Sequence, residues 1–100
     1  WRLVGGDAMN ILRRFNKSSK SVWKLKEKPS DEQLLELYAL YKQATGGDAR
    51  GVGDISGLIA MAKYRAWRKL RGVSTDEAME RYCTLVDSLM NSESSSLIGA

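Results

Sequence analysis

The stretch Pro29-Ser30-Asp31-Glu32-Gln33-Leu34-Leu35-Glu36-Leu37-Tyr38-Ala39-Leu40-Tyr41-Lys42-Gln43-Ala44-Thr45, stopped by Gly46-Gly47-Asp48, decides the fold. Ser30 followed three residues later by Gln33 is a capping box, in which hydroxyl and amide satisfy each other's orphan backbone N–H groups. Asp31 and Glu32 suit the positive end of the helix dipole that follows. Leu34, Leu37, Tyr38 and Tyr41 fall at the i, i+3, i+4, i+7 spacing of an amphipathic helix. On spacing alone such a stripe reads as core. Tyr38 and Lys42, four apart, share one face, where a phenol and an ammonium stand ready for phosphate oxygens.

Three more helices extend outward from this one. Upstream, Ala8, Ile11, Leu12 and Phe15, then Val22 and Leu25, keep helical spacing, and one helix is predicted over 8–25. The polar run Lys17-Ser18-Ser19-Lys20-Ser21 argues by propensity for a break inside it. Downstream, a helix is predicted from Leu58 to Arg71 with Gly72 ending it, and Lys63 and Trp67 on a common face. Trp67 is assigned to the core. Ser74 with Glu77 is a second capping box, opening a helix whose apolar face is Ala78, Tyr82, Leu85, Val86 and Leu89. Asn91–Ser96 is polar and low in complexity and reads as disordered. Nothing reads as a strand. The expectation is an all-α bundle of four helices over 8–91, with an N-terminal extension at 1–7 and a disordered tail at 92–100.

Gly51-Val52-Gly53-Asp54-Ile55-Ser56-Gly57 looks like a phosphate-binding glycine loop, but its spacing is GxGxxxG and no apolar strand precedes it. Without strand and helix around it, the loop reads as a helix connection.

Composition limits the chemistry. The chain of 100 residues has no histidine and one cysteine, Cys83. The commonest general base and zinc ligand are therefore missing, and no His-dependent triad, thiolate metal site or internal disulfide can form. A binding role fits better than an enzymatic one. The lone cysteine agrees with a reducing compartment, and a cytoplasmic location is expected. The net charge of +4 alternates along the chain: eight basic against two acidic residues over 1–28, two against four over 29–50, five against one over 51–71, and one against five over 72–100. Two basic helices packed together would draw an anionic ligand, with nucleic acid, a membrane surface and a phosphorylated small molecule as candidates.

In order along the chain, three blocks resemble the acyl-CoA-binding protein family. They are Lys26–Leu35 continuing through Leu37-Tyr38 and Tyr41–Asp48, then Ala62–Gly72, then Ser74–Tyr82. The resemblance covers roughly residues 15–90. It implies an up-down-down-up four-helix domain that binds long-chain fatty acyl-CoA esters and carries them within the cell, without being an enzyme and without a cofactor or metal. It implies further that Tyr38, Tyr41, Lys42, Lys63 and Tyr82 meet the CoA head group, Lys63 near the 3′-phosphate and Tyr82 near the adenine. Phe15, Leu34 and Leu35 would meet the acyl chain. The implied partners are the acyl-CoA ligand and, transiently, acyl-CoA-using enzymes or membranes. No nucleic acid is expected, and the domain would be a monomer.

The chain departs from the family pattern in places. Arg50–Met61 lacks the family's Arg-Pro-Gly segment and is a residue shorter, Tyr64 stands where the family has Trp, and Trp23 stands at a basic position. Nothing is therefore carried over onto 49–61. The alternative is a helical interaction module, binding a partner or nucleic acid through the basic first helix, that has lost acyl-CoA.

Overall fold

The computed structural model describes the backbone of residues 2–51 and 56–99 and the side chains of 10–51 and 56–93. Trp1, the side chain of Ala8 and the middle of the glycine loop, 52–55, lie outside the described residues. Four α-helices follow in order: α1 (Arg2–Ser21), α2 (Asp31–Gly46), α3 (Leu58–Arg68) and α4 (Thr75–Gly99), with a single 3-10 turn at Val22–Lys24 after α1. No strand occurs among the described residues. α4 packs against both α1 and α2, and α3 packs on α2.

α2 matches its reading closely. Ser30 Oγ accepts from Gln33 N at 3.2 Å, and Ser30 N donates to Gln33 Oε1 at 3.0 Å, so both halves of the capping box are made. The helix closes at Gly47, whose φ of 76° is open to glycine at little cost and whose N–H donates to Gln43 O. At α4 only half of the predicted box forms. Glu77 N donates to Ser74 Oγ at 3.1 Å, while the Glu77 carboxylate pairs with Arg81 one turn on.

The first helix differs from its reading at both ends. It begins at Arg2, taking in residues assigned to an extension, and it runs unbroken through the polar segment to Ser21 before the 3-10 turn. Phe15, Ser18 and Val22 keep the inward face going through that run: Phe15 and Ser18 are buried and Val22 is half-buried. Ser18 is small enough to sit on a packed face, and Ser19 Oγ donates back to Asn16 O at 2.8 Å. Tertiary packing thus overrides the weak propensity of three serines.

α3 ends at Arg68, three residues before the predicted stop. Its last turn tightens to 3-10 spacing, with Leu70 N donating to Trp67 O and Arg71 N to Arg68 O, and then reverses at Gly72 with φ 90°. α4 runs through 92 and 93 and on to Gly99, where the sequence suggested a disordered tail from 92. One reason is visible at Glu93. Its Oε2 accepts from Lys26 N at 2.8 Å and Glu27 N at 2.9 Å, so the end of the bundle is tied to the α1–α2 connection.

The core joins Phe15 of α1, Leu37, Leu40 and Ala44 of α2, and Ala78, Tyr82, Cys83 and Val86 of α4. The apolar face predicted for α4 is this one, with Cys83 added. An ion pair from Arg14 to Asp87 at 3.1 Å links α1 to α4 at the surface, where such a contact contributes about 0–1 kcal/mol.

The Glu93 strap has a direct test. Glu93→Ala should speed amide hydrogen exchange at Lys26 and Glu27 while leaving the interior of α2 unchanged. Uniform acceleration would mean that Glu93 supports the whole fold instead.

Candidate functional site

The α2 stripe divides into two faces. Leu37, Leu40 and Ala44 point into the core. Leu34 and Tyr41 are exposed, and Tyr38 and Lys42 are half-buried. The expectation that the stripe is simply core therefore holds for Leu37 alone. The other three belong to a strip left open on α2, with α1 on one side and α3 on the other.

On the α1 side the strip borders three aromatic rings. Phe15 stacks on Tyr41 with centroids 5.6 Å apart and meets Tyr82 edge-on at 5.1 Å, while Tyr41 and Tyr82 lie 6.0 Å apart. Contacts of this kind add about 0.5–1.5 kcal/mol each beyond area burial. Tyr82 is 4% exposed, and burial, then Tyr41, then Cys83 push its phenol above the ordinary range. It stays protonated at neutral pH and can donate. Among the described residues its hydroxyl has no hydrogen-bond partner.

On the α3 side, side chains interlock across the helix pair. Lys63 Nζ lies over the Tyr38 ring, 5.2 Å from its centroid, and Lys42 Nζ lies over the Trp67 ring at 4.9 Å. Each ammonium is thus steered by an aromatic face, for about 0.5–1 kcal/mol at such exposed positions. Neither lysine forms an ion pair among the described residues, where the ion pairs are Arg14–Asp87 and Arg81–Glu77. Both charges remain available to an anion.

Of the residues picked from sequence, Tyr38, Lys42 and Lys63 come together at the α2–α3 seam, and Tyr41, Tyr82 and Phe15 come together at the α1–α2–α4 junction. Leu34 is exposed and Leu35 half-buried on α2, one turn or less before Tyr38. Phe15 is buried in the core beneath Tyr41. Trp67, assigned to the core, is half-buried instead and braces the seam. Its indole N–H donates to Gln43 Oε1 at 3.2 Å and Gly47 O at 2.9 Å.

That brace leads to two residues the sequence reading missed. Gln43 is 0% exposed, and its Nε2 donates to Asp48 Oδ1 and to Val73 O, both at 2.8 Å. Asp48 Oδ1 also accepts from Gly72 N at 3.0 Å, and Arg71 Nε donates to Ala49 O at 3.0 Å. Gly72 N–H, Gln43, and then the charges of Arg71 and Arg50 hold the Asp48 carboxyl below the ordinary carboxylate range, against a smaller opposing effect of desolvation. A glutamine at an i+3 core position, followed by an aspartate just past the helix end, was the available signal.

The described residues hold no cluster of acidic, histidine and cysteine side chains that could take a metal ion, and no helix among them is long and apolar enough to cross a membrane. What the fold and site define is a small all-helical binding domain with two open ammonium groups and a set of phenols along one face. The sequence profile of the family described as Acyl CoA binding protein matches residues 12–86, and the chain belongs to this family of binding proteins. It is 42% identical over 89 residues to an acyl-CoA-binding protein homolog of Manduca sexta, covering 84% of this chain and 96% of that one. It is 44% identical over 86 residues to an acyl-CoA-binding protein of Saccharomyces cerevisiae, covering 85% and 99%. The crystal structure of Oryza sativa acyl-CoA-binding protein 2 superposes with a TM-score of 0.79 at 32% identity, covering 88% of this chain and 97% of that one.

Two predictions concern the buried knot. Gln43→Leu keeps the volume but leaves Val73 O and one contact each of Asp48 and Trp67 unpaired, so urea denaturation should show a loss of about 1–3 kcal/mol. Asp48 supplies a pH effect of known sign. Its folded pKa is depressed, so its contribution is present above the unfolded carboxylate value of about 4 and is lost as pH falls below it. Urea midpoints of the wild type and Asp48→Asn should therefore converge as pH drops from neutral to below about 4. A constant gap would remove Asp48 from the acid response.

Proposed function

We propose that this chain binds long-chain fatty acyl-CoA esters and carries them within the cell. The observation that bears most weight is the pair of lysines: Lys42 and Lys63 converge on the α2–α3 seam from different helices, beside Tyr38, with no ion-pair partner among the described residues. The named function of the relatives, which cover 84% and 85% of this chain, supports the same reading.

In this reading the CoA head is the anion. Lys63 and Lys42 meet its phosphates, with Tyr38 and Tyr41 donating hydroxyl hydrogen bonds. Charge-assisted contacts of this type set orientation and association rate. The adenine lies near Tyr82, whose ring is packed against Phe15 and Tyr41, so the phenol hydroxyl is the group that meets it. The acyl chain runs along Leu34 and Leu35, with Phe15 as the wall behind Tyr41. Burial gives about 0.8 kcal/mol per methylene, so a dozen methylenes offer about 10 kcal/mol before the cost of association. The thioester as a whole should thus bind far more tightly than either half.

The protein acts without covalent chemistry, as a cytoplasmic monomer that shields the acyl chain from water and hands the ligand to enzymes or membranes. No cofactor is needed. Residues 8–91 form the working unit.

Titration calorimetry tests this. Palmitoyl-CoA below its micelle concentration should bind one to one, with free CoA and palmitate much weaker. Lys42→Ala and Lys63→Ala should each weaken binding about tenfold to a hundredfold, the range of a lost charge-assisted contact. Absence of thioester binding by the wild type would end the proposal.

A further inference from the structure

α3 has a second face that the ligand reading leaves unused. Trp67, Tyr64 and Lys63 turn toward α2 or its following loop. The opposite side carries Leu58, Met61, Arg65 and Arg68 at i, i+3, i+7 and i+10, with Lys69 beside them, all exposed. At its start two apolar side chains on this side stand in water, Leu58 at 86% exposed and Met61 at 38%, while Ile59, 74% exposed, lies one turn before Lys63 on the other side. Toward its end the charge is wholly basic. From Leu58 to Arg71 there are five Lys or Arg and no acid. Arg65, Arg68 and Lys69 have no ion-pair partner among the described residues.

We propose that this face of α3 docks the protein on an anionic lipid surface, with Leu58 and Met61 entering the boundary between headgroups and acyl chains. The argument is one of complementarity. An apolar turn continuous with a cationic stripe calls for a partner that offers hydrocarbon and negative charge within one helix length, here about 16 Å. An anionic bilayer offers both at its interface. Nucleic acid offers the charge but no hydrocarbon for Leu58 and Met61. A second copy placed symmetrically on this face would supply no acid to the basic stripe. The inference deepens the carrier reading, on which its biological sense rests, by placing one membrane contact on α3. The surface itself is argued from α3 alone.

The test uses the full chain without acyl-CoA, so that it fails or succeeds apart from the ligand proposal. Sucrose-loaded phosphatidylcholine vesicles with about 30 mol% phosphatidylserine, at about 0.1 M salt, are sedimented with the protein beside pure phosphatidylcholine vesicles. Wild type should pellet with the anionic vesicles, less so as salt rises, and not with the neutral ones. Two variants remove the two halves of the face, Leu58→Ser with Met61→Ser, and Arg65→Gln with Arg68→Gln and Lys69→Gln. Each should lower partitioning at least about tenfold while helix content by circular dichroism stays unchanged. Calorimetry with palmitoyl-CoA on the charge variant should match wild type, separating this face from the seam. No pelleting of the wild type, equal pelleting of wild type and both variants, or equal pelleting with neutral vesicles would overturn the proposal. So would self-association in size-exclusion chromatography that Leu58→Ser abolishes, which would give the face to a second copy.

Discussion

The buried side-chain amide of Gln43 is the constraint on which the rest of the arrangement depends. It sits on α2 with its Oε1 held by Trp67 of α3 and its Nε2 shared between Asp48, just past α2, and Val73, just before α4. A polar amide without partners is costly in a core, so the three neighbours are specified together rather than separately. Asp48 then reaches Gly72, and Arg71 reaches Ala49, pinning the start of the long α2–α3 connection onto the α3–α4 turn. α3 packs chiefly on α2, and this knot fixes its position along that helix. Through Trp67 the same knot fixes the aromatic face over which the Lys42 ammonium lies.

That geometry lets a chain with modest net charge gather two unpaired ammonium groups at the proposed anion site. Charge alone would spread over the surface as solvated lysines. Here the aromatic faces of Trp67 and Tyr38 hold two ammonium groups at one seam, and no carboxylate among the described residues neutralises them. The trio of Phe15, Tyr41 and Tyr82 keeps the opposite edge of the strip stiff, because each ring is packed against the other two. Binding therefore needs little side-chain ordering, which lowers the entropic cost of capturing a long flexible ligand.

The sequence was most legible where local chemistry acts alone. Ser30 and Gln33 announce the start of α2, and the paired glycines announce its end, because caps are satisfied by neighbours in the chain. Tyr38 and Lys42 were readable as a shared face for the same reason. Legibility failed where distant packing decides. Propensity at Ser18, Ser19 and Ser21 argues for a break, and the single helix predicted across them forms because Ser18 lies on the packed face. Helix α4 passes the polar start of the expected tail because Glu93 caps amides at Lys26 and Glu27, far away in sequence. Gln43 looks like an ordinary surface residue of an amphipathic helix, and only its three side-chain hydrogen bonds reveal it as a core group. Leu34 and Tyr41 look like core in spacing, and only the absence of a covering helix leaves them open.

A crystal structure of the chain bound to palmitoyl-CoA tests the central claim most directly, that α2 and α3 are locked by Gln43 so that Lys42, Lys63 and the tyrosines form one CoA site. The account predicts the phosphates at the Lys42–Lys63 seam, the adenine against Tyr82, the acyl chain along Leu34 and Leu35, and an unchanged Gln43–Trp67–Asp48 knot. Phosphates bound away from the seam, or a seam that must open by breaking that knot before the ligand fits, would contradict it.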